Sequence, residues 1–394
     1  MLSRVSNAGF ALAGVCPARA SERDEAFRGW LASGALGAME YLREHVETRL
    51  DVTRLVQGAR SVVVVGDVYW GRESGGGESE KRKAISENED TDDALGTAQR
   101  GGRAGLVARY ARGVDYHEVM KRRLHGLCDA LRAEHPGHVF RAFTDIEPVL
   151  EREHAARAGM GWIGKNTMLI HPRIGSYFFL GGIVTTLELA PPPPEEQRAV
   201  PDHCGTCTRC IDACPTGAIT PYRVDASRCI SALTIEQRGM IDPGLHAGMG
   251  AWVYGCDVCQ EVCPHNSPRP AEASSELPMP NSEYTPTRSG FDLLDVMGWT
   301  AQDRTARLRK SAMKRATLEM WKRNAVIAAG NMLRERGDPA LRAAIEDLAW
   351  NAKEPVVVRE TARQFLNVHR RDAESAEIRP SGCGQKTEGT GRNS

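Results

Sequence analysis

Eight of the eleven cysteines lie in one stretch between residues 204 and 263, at spacings typical of iron–sulfur proteins. The first run, residues 204–214, has the form C-x2-C-x2-C-x3-C and is followed by proline. The second run, residues 256–263, repeats part of this pattern and also ends in Cys-Pro. Runs of this kind hold [4Fe–4S] clusters through four thiolates, and the fourth cysteine of one run ligates the other cluster. The stretch therefore predicts two [4Fe–4S] clusters in a fold that brings both runs together.

This exchange of ligands divides the cysteines into two sets. The set for the first cluster is Cys204, Cys207, Cys210 and Cys263. The set for the second cluster begins with Cys214, Cys256 and Cys259. Its remaining ligand would normally lie two residues before the second C-x2-C pair, where this chain has Tyr254. Cys229 is the only other cysteine nearby, so we assign it as the fourth ligand. Zinc also binds C-x2-C pairs, but the repeated run with its terminal Cys-Pro is more specific to iron–sulfur proteins.

The rest of the composition is that of a globular protein of two or three domains. No stretch approaches the roughly 18 apolar residues of a membrane span, and the N-terminus lacks the pattern of a secretory signal. We therefore expect a cytoplasmic protein without membrane association, because a reducing compartment keeps thiolates available. Three cysteines remain unassigned, and Cys16 and Cys128 are expected to be ordinary buried thiols.

The chain is expected to be α+β, with three parts. Residues 1–194 alternate helices with short strands such as 61–66, 139–143 and 177–189, which predicts an α/β or α+β domain whose sheet is covered by helices. Within it, residues 71–101 have almost no apolar side chains and are expected to form a disordered loop. A ferredoxin-like domain follows at 195–270, after a Pro191–Pro194 linker. Residues 290–372 predict paired helices of the HEAT-like repeat kind, without strands, and 373–394 a disordered tail.

Three further motifs have ordinary structural explanations beside the functional ones. Asp145 follows a strand and precedes a helix expected from Glu147, so it could cap that helix or serve as a general acid. Asp115 and His117 precede another helix, as a cap and a packed histidine would. Residues 159–164 match G-x-G-x-x-G, but a helix precedes them and a strand follows, the reverse of a dinucleotide fold.

Ordered segments across residues 1–370 resemble epoxyqueuosine reductase, a family of tRNA-modifying enzymes. They are residues 105–117, 145–152, 158–166, 175–181, 228–231, 254–260 and 323–325, together with both cysteine runs. The resemblance implies that the epoxide of epoxyqueuosine, at the wobble position of a tRNA anticodon, is reduced to queuosine. It also implies a base-off cobalamin in the N-terminal domain, used as cob(I)alamin and fed by the two clusters. It supports Cys229 as a ligand of the second cluster.

The resemblance further implies site residues and partners. Asp145 would be the proton donor, with a pKa raised by burial beside the corrin. Eight positions match the family's cobalamin contacts: Arg49, Ala108, Asp145, Leu169, Leu180, Ser231, Cys256 and Asp257. A monomer is expected to take electrons from an unidentified low-potential donor. Residues 301–371 carry sixteen lysines and arginines against eight acidic residues, which fits phosphate contacts. Candidates for holding the anticodon stem are Arg315, Lys322, Arg323 and Arg342.

Two alternative functions are compatible with the cysteine pattern. A corrinoid enzyme of the reductive dehalogenase kind also combines cobalamin with two clusters, but such enzymes usually carry an export signal and no basic helical repeat. A ferredoxin-type electron-transfer module without catalysis of its own would need no corrin. Absorption bands of a corrin after reconstitution with cobalamin would distinguish this last possibility from the other two.

Overall fold

The computed structural model describes residues 2–71, 102–189, 200–267 and 278–377. The predicted loop at 71–101 lies outside these residues apart from Gly71, and so do the Pro191–Pro194 linker and the tail beyond residue 377. The last helix reaches Glu377, so the first residues of the predicted tail are helical. Among the helices of the described residues, none has both the length and the apolar character needed to cross a membrane.

The strands of the described residues are short, apart from two of eight residues. They are β1 (Leu12–Pro17), β2 (Ser61–Val68), β3 (Ala104–Val107), β4 (Phe140–Phe143), β5 (Trp162–Ile163), β6 (Leu169–Ile170), β7 (Phe178–Thr185), β8 (Ile219–Thr220), β9 (Arg223–Val224), β10 (Trp252–Tyr254) and β11 (Gly290–Asp292).

The helices are short in the first two thirds of the chain and longer towards its end, apart from one long early helix. They are α1 (Leu2–Asn7), α2 (Asp24–Ala32), α3 (Val46–Leu50), α4 (Tyr116–Glu134), α5 (Glu151–Arg157), α6 (Arg209–Asp212), α7 (Ile230–Ile235), α8 (Pro243–Met249), α9 (Val258–Glu261), α10 (Leu293–Gly298), α11 (Ala301–Leu308), α12 (Leu318–Glu335), α13 (Pro339–Trp350) and α14 (Val356–Glu377).

A four-stranded sheet in the order β1-β2-β7-β4 forms the N-terminal part of the molecule. Every residue of β2 is buried, because one core covers each face of the sheet. On one face Val119 and Leu124 of α4 pack against it, and on the other Ala155 of α5 does. All neighbouring pairs are antiparallel. The mixed helix–strand prediction is confirmed, and the antiparallel pairing makes the N-terminal part α+β, the second of the two arrangements expected, and not α/β.

A second sheet joins segments that the sequence placed in three separate domains. In the order β10-β3-β11, β3 pairs in parallel with β10 and antiparallel with β11. One continuous core extends from this sheet into α12, α13 and α14. The expectation that residues 290–372 contain no strands is therefore wrong at β11. The description of the terminal helices as HEAT-like repeats stays a prediction.

Candidate active site

The structure brings the four cysteines expected to hold the first cluster close to one another. Burial raises the pKa of Cys210, and the nearby thiols of Cys204, Cys263 and Cys207 raise it further. The N–H of Cys207 donates to the carbonyl of Cys204 at 2.8 Å, which closes a tight turn. Cys263 is buried and packs in a small cluster with Trp162 and Cys204. This grouping agrees with the predicted set, although the ligation itself stays a prediction.

The second set is also brought together, including Cys229. Burial raises the pKa of Cys256 to about 12, and the thiols of Cys229 and Cys214 add to the shift. The pKa of Cys259 is raised in the same way by burial and then by Cys256 and Cys229. Cys214 accepts a hydrogen bond from the N–H of Ala218 at 3.3 Å. Cys229 therefore lies where the fourth ligand of this set was expected.

Tyr254 occupies the position where a regular two-cluster pattern would have a cysteine. Its side chain points into the core, where the hydroxyl donates to the carbonyl of Ala312 at 2.9 Å. The ring stacks on Trp321 with centroids 5.5 Å apart. Within the described residues, no three His, Cys, Asp or Glu side chains come close enough together to bind a single metal ion. The case for clusters therefore rests on the two cysteine sets and their spacing.

Asp145 lies in the loop between β4 and α5 with a left-handed backbone, φ 57°. Asparagine and aspartate are among the few non-glycine residues that adopt this conformation readily. The N–H of Asp145 donates to Glu151 Oε1 at 2.6 Å, and its side chain is 59% exposed. α5 begins only at Glu151, with Leu150 at the N-cap position, so the helix expected from Glu147 and the capping explanation of Asp145 are both wrong. The loop instead presents the Asp145 carboxylate to an open site.

His117 connects Asp145 to a chain of charged groups. Its Nε2 lies 3.0 Å from Asp145 Oδ2, and its Nδ1 lies 2.7 Å from Asp115 Oδ1. Lys314 Nζ lies 2.7 Å from the other oxygen of Asp115. Burial alone would lower the pKa of His117, but the hydrogen bonds with Asp115 and Asp145 raise it to about 9. His117 is therefore an imidazolium at neutral pH, held between two carboxylates. Asp115 does cap α4 as the sequence suggested, but His117 also belongs to the site.

The pKa of Asp145 is lowered, which contradicts the expected rise. The surrounding protein alone would raise it, but the hydrogen bond and charge of His117 outweigh this effect, helped by a hydrogen bond with Tyr116. The expected rise in the pKa of Asp145 was based on burial alone. The contact of His117 with Asp145 depends on tertiary structure and is not visible in the sequence.

Glu151 is a second protonated group beside Asp145 that sequence reasoning missed. Burial raises its pKa to about 8, and the charge of Asp145 contributes to the rise. Nothing in the spacing of these two acidic residues indicates the effect. At neutral pH, Asp145 thus lies between two groups that each carry a proton, His117 and Glu151.

Arg49 and Tyr41 belong to the same neighbourhood. Burial lowers the pKa of Arg49, while the charges of Tyr41, Asp145 and Glu151 act on it in the opposite direction. The Nε of Arg49 is buried and has no hydrogen-bond partner in the described residues. Such an unsatisfied donor is costly unless a further group binds there. The guanidinium of Arg315 lies over the ring of Tyr41 at 5.6 Å.

The other expected cofactor contacts lie on segments that meet around the second cysteine set and the Asp145 loop. The N–H of Ala108 donates to the carbonyl of Tyr254 at 2.9 Å, two residues before Cys256. Asp257 accepts from the N–H of Arg109 at 2.7 Å.

The carbonyl of Leu180 accepts from the hydroxyl of Thr144 at 3.0 Å, next to Asp145. Ser231 lies in α7, one turn before Thr234. Leu169 is buried in β6 and packs in the core on one face of the four-stranded sheet.

The structure separates the four basic residues proposed for phosphate contacts. Arg323 is fully buried and Lys322 nearly so, and Lys322 pairs with Glu354 at 2.6 Å. These two assignments are wrong, because both side chains point into the protein. Arg315 and Arg342 remain available at the surface. The side chain of Arg315 is 49% exposed and pairs with Glu236.

Two family models match the chain. One, described as "Epoxyqueuosine reductase QueG, DUF1730", matches residues 49–146. The other, described as a 4Fe-4S double cluster binding domain, matches residues 203–266. The second match includes all eight cysteines of the two sets, and the first includes Arg49, Ala108, His117 and Asp145.

Curated relatives and solved structures agree with the family models. An epoxyqueuosine reductase from Burkholderia pseudomallei is 38% identical, over 83% of this chain and 79% of its own. One from Xanthomonas campestris pv. campestris is also 38% identical, over 82% and 84%. A crystal structure of selenomethionine-labelled epoxyqueuosine reductase has a TM-score of 0.74 at 25% identity, covering 95% of this chain and 92% of that one. An epoxyqueuosine reductase with an epoxyqueuosine-modified tRNA-Tyr stem loop has the same TM-score at 24% identity, covering 97% and 94%.

Proposed function

Because the chain belongs to the epoxyqueuosine reductase family of oxidoreductases, we propose that it reduces the epoxide of epoxyqueuosine in the tRNA anticodon to queuosine. The observation that carries the proposal is the arrangement at Asp145. An exposed carboxylate on a left-handed loop lies against an imidazolium, beside segments that lead to the second cysteine set. This arrangement supplies protons next to a source of electrons.

Cobalamin fits the residues around this arrangement. The unpaired Nε of Arg49 could donate to a polar side group of the corrin. At Gly255 a Cβ would lie 2.6 Å from Cβ of Ala108, so the two backbones approach closely beside Cys256. We propose that Arg49, Ala108, Asp145, Leu169, Leu180, Ser231, Cys256 and Asp257 hold the cofactor. When bound, it supplies the low-potential cobalt chemistry that amino-acid side chains cannot provide.

The surroundings of the two cysteine sets differ in exposure, and this suggests their order in electron transfer. Residues 205, 206 and 208 beside the first set are exposed, while residues 255, 257 and 260 beside the second set are buried. We propose that an unidentified low-potential donor approaches the first set, and that the second set faces the cobalamin site. The protein is proposed to act as a monomer.

Removal of the epoxide oxygen as water consumes two electrons and two protons. We propose that Asp145 donates a proton to the departing oxygen, that His117 resupplies it through the hydrogen bond between the two side chains, and that Glu151 is a second reserve of protons beside the loop. His117 lies 3.0 Å from the Asp145 carboxylate and Glu151 accepts from its N–H. Asp115 and Lys314 orient the imidazole from the other side. Because both neighbours carry protons at neutral pH, an ionised Asp145 between turnovers is compatible with a proton-donor role.

A direct test is anaerobic turnover of epoxyqueuosine-containing tRNA by the reconstituted holoprotein with cobalamin and dithionite. We expect queuosine to form, seen by mass spectrometry of the digested nucleosides as the loss of one oxygen atom. Omission of cobalamin should abolish the product. A protein that contains both clusters and shows corrin absorption bands but leaves epoxyqueuosine unchanged would contradict the proposal.

The same assay should reveal the proton supply in its dependence on pH. A proton donor must be protonated to act, so kcat should be steady near pH 7 and fall as pH rises through about 8 to 9, the pKa values of Glu151 and His117. In His117→Gln the fall should begin at lower pH. Binding of tRNA is measured at each pH as the control. An unchanged kcat up to pH 10 would exclude both groups as the source of the protons.

Arg315 and Tyr41 are the best-placed candidates for a contact with the anticodon loop. Arginine binds phosphate and stacks on bases, and an exposed tyrosine stacks on bases that leave the loop. Neutralising Arg315 with Arg315→Gln should weaken tRNA binding and reduce the slope of log K against log salt by about one. Arg122, another exposed arginine paired with one glutamate, is the matched control, and Arg122→Gln should have no effect. Equal effects of both variants would contradict a specific contact.

A further inference from the structure

We propose that Arg323 and Asn324 of α12, together with Thr234 of α7, form a brace that positions Cys229 and Cys256 as ligands of the second cluster. The inference rests on the proposed function insofar as it takes both cysteines as ligands of one cluster. It gives Arg323, which the sequence suggested for tRNA binding, a role inside the protein.

Cys229 requires such a brace because no local sequence motif fixes its position relative to the other ligands. Cys256 and Cys259 form a C-x2-C pair whose own turn sets their separation. Cys229 lies outside both runs, at the N-terminal cap of α7, where its carbonyl accepts from the N–H of Leu233 at 2.9 Å. Its position relative to Cys256 therefore depends on how α7 is held against β10.

Arg323 holds the far end of α7. Its Nη2 donates to the carbonyl of Leu233 at 2.9 Å. Its Nη1 donates to the carbonyls of Gln237 and Gly239 at 2.5 and 2.6 Å. A helix leaves its last carbonyls without internal partners; the guanidinium binds one of these in α7 and two carbonyls of the segment that follows the helix. The Arg323 side chain is fully buried, so it has no contact with solvent or nucleic acid.

Asn324 connects α7 to the strand that leads into Cys256. Its Nδ2 donates to the carbonyl of Thr234 at 3.0 Å and to that of Val253 at 2.9 Å. Its Oδ1 accepts from Arg323 Nη2 at 2.8 Å. One fully buried amide thus links the C-terminal turn of α7, the middle of β10 and the guanidinium of Arg323.

Thr234 completes the link at the cysteines themselves. Its hydroxyl donates to the carbonyl of Ile230, the residue after Cys229, at 2.8 Å. The same oxygen accepts from the N–H of Gly255, the residue before Cys256, at 2.9 Å. A single buried hydroxyl therefore holds the two neighbours of the proposed ligands together. Buried groups in such a network rigidify it only when all are satisfied, as they are here.

The test compares isosteric variants of the anaerobically reconstituted holoprotein, with iron content, redox titration and EPR of the reduced protein as readouts. Thr234→Val removes the hydroxyl, and Thr234→Ser restores it. Thr361→Val is the matched control, because Thr361 is equally buried in α14 and donates to the carbonyl of Val357 at 2.7 Å. Thr234→Val should shift the reduction potential of the second cluster and leave the first unchanged. Thr234→Ser and Thr361→Val should match the wild type.

A second variant, with a larger expected effect, tests the side-chain amide of Asn324. Asn324→Leu is expected to lower iron from about eight per protein towards about four, because the second cluster is lost. Asn331→Leu is its control, since Asn331 lies on the same helix and its Nδ2 donates to the carbonyls of His246 and Gly250 at 2.7 and 2.9 Å. Equal loss of iron in both variants, or unchanged cluster spectra in Thr234→Val and Asn324→Leu, would overturn the brace. A wild type with only one cluster would instead refute the cysteine assignment.

Discussion

Asp145→Asn is expected to lower kcat on epoxyqueuosine-containing tRNA by about 100- to 10,000-fold, the usual contribution of a positioned general acid. Asparagine adopts the left-handed backbone at this position as readily as aspartate. It also keeps an oxygen that can accept from His117. What it lacks is a proton that can be transferred, so the loss should appear in kcat and not in folding or cofactor content.

The readouts for this variant separate chemistry from binding. Cluster content, corrin absorption and affinity for tRNA are expected to equal those of the wild type. Asp129→Asn is the matched control, because Asp129 is an exposed aspartate that pairs with Arg132 on α4. Its kcat should be unchanged. Full activity of Asp145→Asn would remove Asp145 as the proton donor and leave His117 or Glu151 as the direct source.

The cysteine sets could be predicted from sequence because iron–sulfur ligation depends on local spacing. Three ligands of the first set lie within seven residues, and one turn with α6 brings them together. Cys229 could be assigned only by elimination, since its place beside Cys256 depends on contacts of α7 with α12. A sequence motif therefore predicts the position of a cluster ligand only where the neighbouring residues of the chain determine that position.

The surroundings of Asp145 could not be predicted for the opposite reason. His117 comes from the start of α4 and Lys314 from the segment after α11, so their approach requires both sheets to be in place. Arg323 illustrates the same limit. In the sequence it belongs to a basic helical segment, but in the structure it is completely buried and donates to the carbonyls of Leu233 and of the segment after α7. Composition describes the average character of a surface and does not show which cation points inwards.

Cys229→Ala is expected to remove the second cluster and with it turnover. A [4Fe–4S] cluster takes four thiolates, and Cys229 lies with Cys214, Cys256 and Cys259 in the structure. Iron should fall from about eight to about four per protein, and the EPR signal of the first cluster should remain. Without the second cluster, the proposed electron path from the first set to the site of Asp145 is interrupted. Turnover should therefore fall to the background of the assay.

The matched control for this variant is Cys128→Ala. Cys128 is a buried thiol of α4 whose pKa is raised to about 11 by burial, and it belongs to neither cysteine set. The Cys128→Ala variant should keep all iron and full activity, which would show that the loss of a buried thiol as such is tolerated. Retention of about eight irons in Cys229→Ala would mean that another group ligates the second cluster. Tyr254 could not be that group, because its hydroxyl is held by Ala312 and its ring by Trp321. The fourth ligand would then come from outside the two sets, and the brace at Thr234 would hold α7 for a structural reason alone.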